Sequence, residues 1–261
     1  MSGPDRLFSL AGKTALVTGG SSGIGAMIAR GLVRRGVRTY VTGRNIPRLE
    51  AFAAELAEMY PGGCVPLIAD LSPADGTGQL AAALAQREDK LGIVVNNAGT
   101  NTAGALATLT AEAWDEVLGV NLRGPVLLVQ ALLPLLRAAA TAQDPARVIN
   151  VGSIGGLHLP GWEAHPYGAS KAALHHVTRS LAKALGPDHI TVNAIAPGPF
   201  PSNMHDTSSD ATQRAIAHSI PLNRAGEADD AEGAVVFLAS RAGAYVNGHV
   251  LPLDGGYIAA L

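Results

Sequence analysis

Short apolar runs alternate along this chain with longer stretches in which apolar residues recur every three or four positions. Runs of the first kind suit strands buried on both faces. Stretches of the second kind suit helices with one buried stripe. Strands are expected at 13–17, 37–42, 64–69, 91–95, 147–153, 190–195 and 249–253. Helices are expected at 26–33, 48–59, 75–90, 111–140, 167–185 and 227–240, the second stopped by Pro61-Gly62-Gly63. Two prolines, Pro125 and Pro134, fall inside the helix at 111–140. Pro125 has no N–H to give the carbonyl four residues back, that of Asn121, so the helix should bend there and leave that carbonyl free. The alternation runs through residues 1–261 without a linker, a repeat or a shift in composition. It predicts one α/β domain, a doubly wound parallel sheet of seven strands with helices on both faces. A proline-dense loop from Pro197 to Met204 and a polar stretch to Gln213 interrupt the pattern. Length with little structure of its own predicts a lid there.

Composition narrows the function more than the fold. Of 261 residues 48% are hydrophobic and 15% charged, which suits a large buried core. A net charge of −2 gives no electrostatic footprint for nucleic acid. No uninterrupted apolar run approaches the ~20 residues of a membrane span. The first ten residues include Pro4, Asp5 and Arg6 and no apolar signal core. Cys64 is the single cysteine, so no intrachain disulfide and no cysteine-rich metal site is expected. A cytoplasmic location is the expectation. His175 and His176 are adjacent on a helix and point about 100° apart, and no His-x-Glu or Cys-x-x-Cys pair occurs, so no metal is expected either.

Chemistry concentrates at the ends of the expected strands. After the first strand comes Thr18-Gly-Gly-Ser-Ser-Gly-Ile-Gly25, followed by a helical stretch. Gly19, Gly23 and Gly25 allow a sharp turn and close backbone approach to a pyrophosphate, and a helix N-terminus behind them favours anions. A glycine-rich turn without a ligand has the same composition. The strand before and the helix after are what the nucleotide motif requires. The second strand ends at Gly43-Arg44, where folds that prefer NAD place an acid for the ribose 2′-hydroxyl. An arginine suits a 2′-phosphate instead, with Ser21 and Ser22 as further donors, so NADP(H) is the expected cofactor. Asp70-Leu71 closes the third strand, and Asp70 could bond an adenine amino group or cap the following turn. Asn97-Ala98-Gly99 closes the fourth and leaves room for backbone approach. Ser153 closes the fifth, on the side of an open α/β sheet where ligands bind. Tyr167 and Lys171 stand four apart, one turn along one helix face. A cation within ~4–6 Å lowers a phenol's pKa and makes it a usable acid or base.

Thr18-Gly-x-x-x-Gly-x-Gly25, Asn96-Asn-Ala-Gly99, Asn121, Ser153, Tyr167-x-x-x-Lys171 and Pro197-Gly198 stand in the order in which they occur in the short-chain dehydrogenase/reductase family, which the chain resembles from about Leu10 to Gly256. The resemblance implies a single Rossmann-type domain, usually assembled as a homotetramer or dimer. It implies Tyr167 as general acid in carbonyl reduction, Ser153 as donor to the substrate oxygen, and Lys171 as holder of the nicotinamide ribose. The main-chain carbonyl of Asn121 would anchor a water that relays protons to Lys171. Gly19 to Gly25, including Ile24, with Arg44, Asp70, Leu71, Asn97, Ala98, Gly99, Pro197 and Gly198, would line the cofactor groove. Three departures from the family pattern occur. The gap from Ser153 to Tyr167 is one residue longer than usual. Ser202 stands where a threonine usually reaches the carboxamide. Asp188-His189 replaces an arginine that docks acidic carrier proteins. The Pro-Phe-Pro-Ser sequence, the longer gap and the extended 139–146 loop resemble the branch that includes the rhamnolipid-type 3-oxoacyl reductases. The implied activity is NADPH-dependent reduction of a small-molecule ketone, with 3-oxoacyl thioesters among the candidates. An NAD-linked secondary alcohol or polyol dehydrogenase is the alternative, and a dinucleotide sensor a remote one. Residues 154–166 and 200–219 should shape the substrate pocket, with Trp162, Phe200 and Met204 as an apolar wall.

Overall fold

All seven expected strands form in the computed structural model, which describes residues 6–73, 75–159, 163–202 and 209–260. They are β1 (Thr14–Val17), β2 (Arg38–Gly43), β3 (Cys64–Ile68), β4 (Ile93–Asn96), β5 (Ala146–Val151), β6 (Ile190–Pro197) and β7 (Val250–Leu253). All pair in parallel in the order β3-β2-β1-β4-β5-β6-β7. The order reverses between β1 and β4, which opens a crevice at their carboxyl ends.

Strand periodicity decides which helices cover which face. Ala15 and Val17 of β1, Ile93 and Val95 of β4, and Ile149 and Val151 of β5 point to one side. There they meet α1 (Gly23–Arg34), α2 (Ile46–Met59) and α8 (Ala228–Ala239) through Ile28, Leu32, Phe52, Leu56, Val235 and Val236. The residues between them, Leu16, Val94 and Val148, point to the other side. They pack against α3 (Gly76–Ala85), α5 (Gly124–Ala139) and α6 (His165–Leu185) through Leu80, Leu84, Leu128, Leu132 and Ala182. Both faces are thus dry, as the unbroken apolar runs require.

Two elements differ from the sequence expectation. The stretch expected as one bent helix is α4 (Ala111–Leu118), a π-helical turn at Gly119–Arg123, and then α5. The Gly124 N–H bonds back to the Gly119 carbonyl, five residues away, and Pro125, in the first turn of α5, has no N–H to give the Asn121 carbonyl. The extra residue is accommodated as a bulge. By length and composition the apolar Ala111–Ala139 stretch suffices to cross a membrane, with a mean hydropathy of 1.4 in its richest window. This corrects the reading that no stretch comes close. In the fold its apolar side chains Leu128, Leu132 and Leu136 belong to the core. The second difference is α7 (Asp210–Ser219), where a structureless polar stretch was expected. Ser209 accepts the Thr212 N–H as its cap, and Ile216 is buried.

Two buried polar devices hold β5, the strand that carries Ser153. Asn96 donates to Asn150 at 2.8 Å, and Asn150 donates to Thr178 at 2.9 Å, which ties β4, β5 and α6 in one chain. Arg147 is fully buried. Its guanidinium donates to the carbonyls of Pro145, Leu238 and Ser240, the last two at the C-terminal end of α8. Buried carbonyls left unpaired are costly. Arg147→Leu should therefore lower the unfolding free energy by about 3 kcal/mol, measured by urea denaturation. A loss under about 0.5 kcal/mol, the scale of a neutral surface change, would mean the guanidinium does not hold α8 to β5.

Candidate active site

A cavity of about 1130 Å³ opens at the carboxyl ends of the central strands and reaches from Arg44 to Tyr167. Its floor is the turn between β1 and α1. Gly19 and Gly23 have φ of +62° and +51°, the left-handed region that glycine enters without cost. Gly25 is required for a different reason: a Cβ there would overlap the Asn97 amide and the Gly19 carbonyl. That amide donates to the carbonyls of Thr18 and Gly19, at 2.9 and 3.1 Å. In return the Thr18 hydroxyl accepts from the N–H groups of Asn97 and Ala98, each at 3.0 Å. The glycine turn and the end of β4 are therefore one locked unit. Ser22 makes no side-chain cap and α1 has no acid in its first turn, so neither offsets the positive end of that helix dipole.

At one end of the cavity Arg44 and Arg48 are both exposed. Asn45 caps α2 by accepting the Arg48 N–H at 3.0 Å, which sets the two cations on either side of a helix start. Gly43 leaves space there, since a Cβ would lie 3.2 Å from the Ser21 hydroxyl. Asp70 lines the same end and accepts the Ser72 N–H at 2.9 Å, which holds its carboxyl below the usual range. Of its two sequence readings, the turn cap is present.

At the other end α6 presents Tyr167 and Lys171 on one face. The ammonium lies 5.6 Å from the centre of the phenol ring and donates to the Val151 carbonyl at 2.8 Å. Gly99 closes over it, close enough that a Cβ would stand 3.7 Å from Nζ. Burial pushes the Lys171 amine down to about 8. The π-helical turn brings in Asn121, whose amide accepts the Thr100 N–H and donates to the Thr100 carbonyl and the Ser170 hydroxyl. Ser170 in turn donates to the Tyr167 carbonyl at 2.7 Å. Ser153 caps the 3-10 turn Ile154–Gly156 by accepting the Gly155 N–H, and bonds the Tyr167 phenol. One expectation is corrected. Burial raises the Tyr167 phenol above its ordinary value, the Ser153 bond only partly opposing it, so Lys171 does not lower it here. Both groups lose water together, and burial outweighs their proximity.

The remaining site residues come from the far third of the chain. Gly198 packs against Asp254, and Phe200 lines the cavity while lying flat on Gly226. Ser202 sits over the glycine turn, where a Cβ on Gly23 would meet its Cβ at 3.2 Å. Trp162 and Met204, the other members of the expected apolar wall, lie outside the described residues. Arg48 and Tyr257 were not foreseen as lining, whereas Ile216 falls in the expected 200–219 segment. Tyr257 packs against His158 with ring centroids 4.9 Å apart and planes tilted by 52°, and both line the cavity. Only α7 had a signal in the sequence, a serine followed three residues later by Thr212 ahead of Ile216.

Fold and geometry together define a dinucleotide-type crevice joined to a Ser–Tyr–Lys cluster whose lysine is buried. Comparison with known proteins gives the same class. Residues 19–258 match the family model described as enoyl-(acyl carrier protein) reductase. The Pseudomonas aeruginosa rhamnolipids biosynthesis 3-oxoacyl-(acyl-carrier-protein) reductase is 45% identical over 96% of this chain and 98% of its own. The structure of the Pseudomonas aeruginosa RhlG/NADP active-site complex superimposes with a TM-score of 0.93 at 44% identity, covering 98% of this chain and all of that one. A short-chain dehydrogenase from Burkholderia cenocepacia in complex with NADP gives 0.87 at 33% identity, covering 97% of this chain and 99% of that one. The chain belongs to the short-chain dehydrogenase/reductase family.

The depressed amine makes a stability prediction. Between about 8 and the ordinary 10.5, Lys171 binds fewer protons folded than unfolded. Stability therefore rises with pH across that window, and below it the buried charge opposes folding. Relative to Lys171→Met, the parent should gain unfolding free energy between about pH 7 and about pH 9.5, read by urea denaturation at both. An unchanged difference would mean that the amine titrates normally.

Proposed function

We propose that this protein is an NADPH-dependent oxidoreductase that reduces a ketone to a secondary alcohol. The observation that carries the reading is the cluster of Ser153, Tyr167 and Lys171 at the buried end of a crevice whose open end carries Arg44 and Arg48 and no acid at Gly43. The cavity fits an extended dinucleotide. Gly19, Gly23, Gly25 and Gly99 leave the backbone bare where a pyrophosphate and a nicotinamide need to approach. Ser21 and Ser22, with the N–H groups at Ile24 and the start of α1, would hold the phosphates. Arg44, with Arg48 beside it, would grip the 2′-phosphate. Asp70 and Leu71 would border the adenine, and Asn97, Ala98, Pro197, Gly198 and Ser202 the nicotinamide half.

When bound, the cofactor supplies the hydride. The protein's own residues do the rest. Ser153 donates a hydrogen bond to the carbonyl oxygen and polarises it. Tyr167, kept neutral by burial, gives that oxygen its proton. Lys171 holds the ribose hydroxyls next to the phenol. Pro125 denies the Asn121 carbonyl its α-helical donor, which leaves that carbonyl to hold a water passing protons to Lys171. The relative named as a 3-oxoacyl reductase supports a 3-oxoacyl thioester as substrate class. Asp188 is paired with Arg137 at 2.8 Å, so the corner that would dock an acidic carrier offers an ion pair instead, which favours a small thioester. A cytoplasmic homotetramer or dimer completes the proposal.

Tyr167→Phe should lower ketone reduction at least about 1000-fold while NADPH still binds, and substantial residual turnover would overturn the assignment. Arg44→Ala should weaken NADPH binding by about 10- to 100-fold and leave NADH binding unchanged, both followed by fluorescence titration. Equal binding of NADH and NADPH by the parent would replace this reading with an NAD-linked alcohol or polyol dehydrogenase.

A further inference from the structure

His175 lies one turn beyond Lys171 and two turns beyond Tyr167 on α6, on the buried side of that helix. Only 2% of the residue is exposed. Its ring sits under the loop that carries Ser153. A Cβ on Gly152, just before the serine, would overlap the ring's Nε2. A Cβ on Gly156, the last residue of the 3-10 turn, would lie 2.9 Å from Cε1 and 2.7 Å from the Ala172 nitrogen on α6. The glycines on either side of Ser153 are thus the two places where the loop makes room for this imidazole. The Ser153 N–H points at Nε2 from 3.5 Å, at the long end of a hydrogen bond.

The surroundings keep the ring neutral, which Nε2 needs in order to accept. The charged groups facing it, Lys171 and Arg179, both lie on its own helix and both are cations. The loop faces it with Gly152, Ser153 and Gly156, none of them charged. Burial first, then Lys171, hold its pKa down to about 4.

We propose that His175 is a positioning residue for Ser153: a neutral imidazole that fills the space left by Gly152 and Gly156, accepts the serine N–H, and fixes the hydroxyl at the height of the Tyr167 phenol. This rests on the ketoreductase reading. A ring at this place serves two masters at once. It spaces the Ser153 loop from α6, which bears Tyr167 and Lys171, and it accepts the backbone N–H of Ser153 itself. Small misplacements of a polarising group are expensive in rate and cheap in binding, because only the transition state reads the geometry.

The test compares His175→Leu, which keeps volume and loses the acceptor, with His175→Gln, whose amide reaches the place of Nε2. All are assayed at saturating NADPH with a 3-oxoacyl thioester, alongside the parent and Tyr167→Phe. His175→Leu should lose about 10- to 100-fold in kcat with NADPH affinity within about twofold of the parent, and His175→Gln should recover most of the loss. The proposal is overturned if His175→Leu keeps kcat within about twofold, if both variants fall alike, or if NADPH affinity falls in step with kcat. Should His175→Leu not fold, His175→Asn replaces it, since its shorter amide stops at the place of Nδ1. A kcat well below that of His175→Gln then supports the proposal, and an equal one overturns it. Turnover that survives in Tyr167→Phe overturns the ketoreductase reading itself, whereas an inactive Tyr167→Phe beside an undisturbed His175→Leu sinks only the role of His175.

Discussion

An ammonium closed off from water is costly to fold, and this molecule is built around one. Lys171 is buried, and its charge is met by the Val151 carbonyl at the end of β5. Desolvation of that kind is repaid only by good geometry, and the depressed amine shows that the repayment is partial. The neighbouring structure follows from it. At Gly99 the backbone runs close to both groups, and a Cβ would stand 3.3 Å from the Asn121 amide oxygen and 3.7 Å from Nζ. The α4–α5 segment bulges into a π-helical turn, which turns Asn121 inward between Thr100 and Ser170. Ser170 then ties that turn to the Tyr167 carbonyl. A partly satisfied cation is also what a ligand rich in hydroxyl groups can complete.

Much of this was legible in the chain, for identifiable reasons. Strands buried on both faces read as short apolar runs, so all seven were found, and the glycine turn was found because close approach leaves no alternative to glycine at Gly25. Pro125 announced a break in the long helix, but the sequence could not say that an inserted residue would make it a π turn, because that depends on Asn121 finding Thr100 and Ser170 across space. Arg147 looked like any charged residue opening a strand. Only the fold brings the carbonyls of Leu238 and Ser240, some ninety residues later, to its guanidinium. The expected effect of Lys171 on Tyr167 failed for a related reason. Spacing on a helix reports proximity, whereas burial, which dominates both groups, is set by β5, Gly99 and the Ser153 loop. His175 was weighed only as a metal ligand beside His176; its relation to Gly152 and Gly156 exists only once the loop is folded onto α6.

The two ends of the crevice work under different dielectric regimes, and this separates recognition from chemistry. Arg44, Arg48 and Asp70 stand in solvent, where a charge is screened over about 8 Å at physiological ionic strength. Lys171 and His175 are buried, and Tyr167 is half-buried on the cavity wall. On the proposed role of Arg44, discrimination between phosphorylated and unphosphorylated dinucleotides is an exposed electrostatic interaction that added salt weakens. The buried lysine at the other end is screened much less, and its hydrogen bond is stronger for the lack of water. The locked pair of Thr18 and Asn97 joins the two ends. It fixes the glycine turn to the end of β4, from which Gly99 continues to the lysine. On the proposed binding mode, a dinucleotide gripped at the arginines would be delivered at a set distance from Tyr167. An increase in salt should raise the concentration of cofactor needed for half saturation while leaving the rate at saturation nearly unchanged.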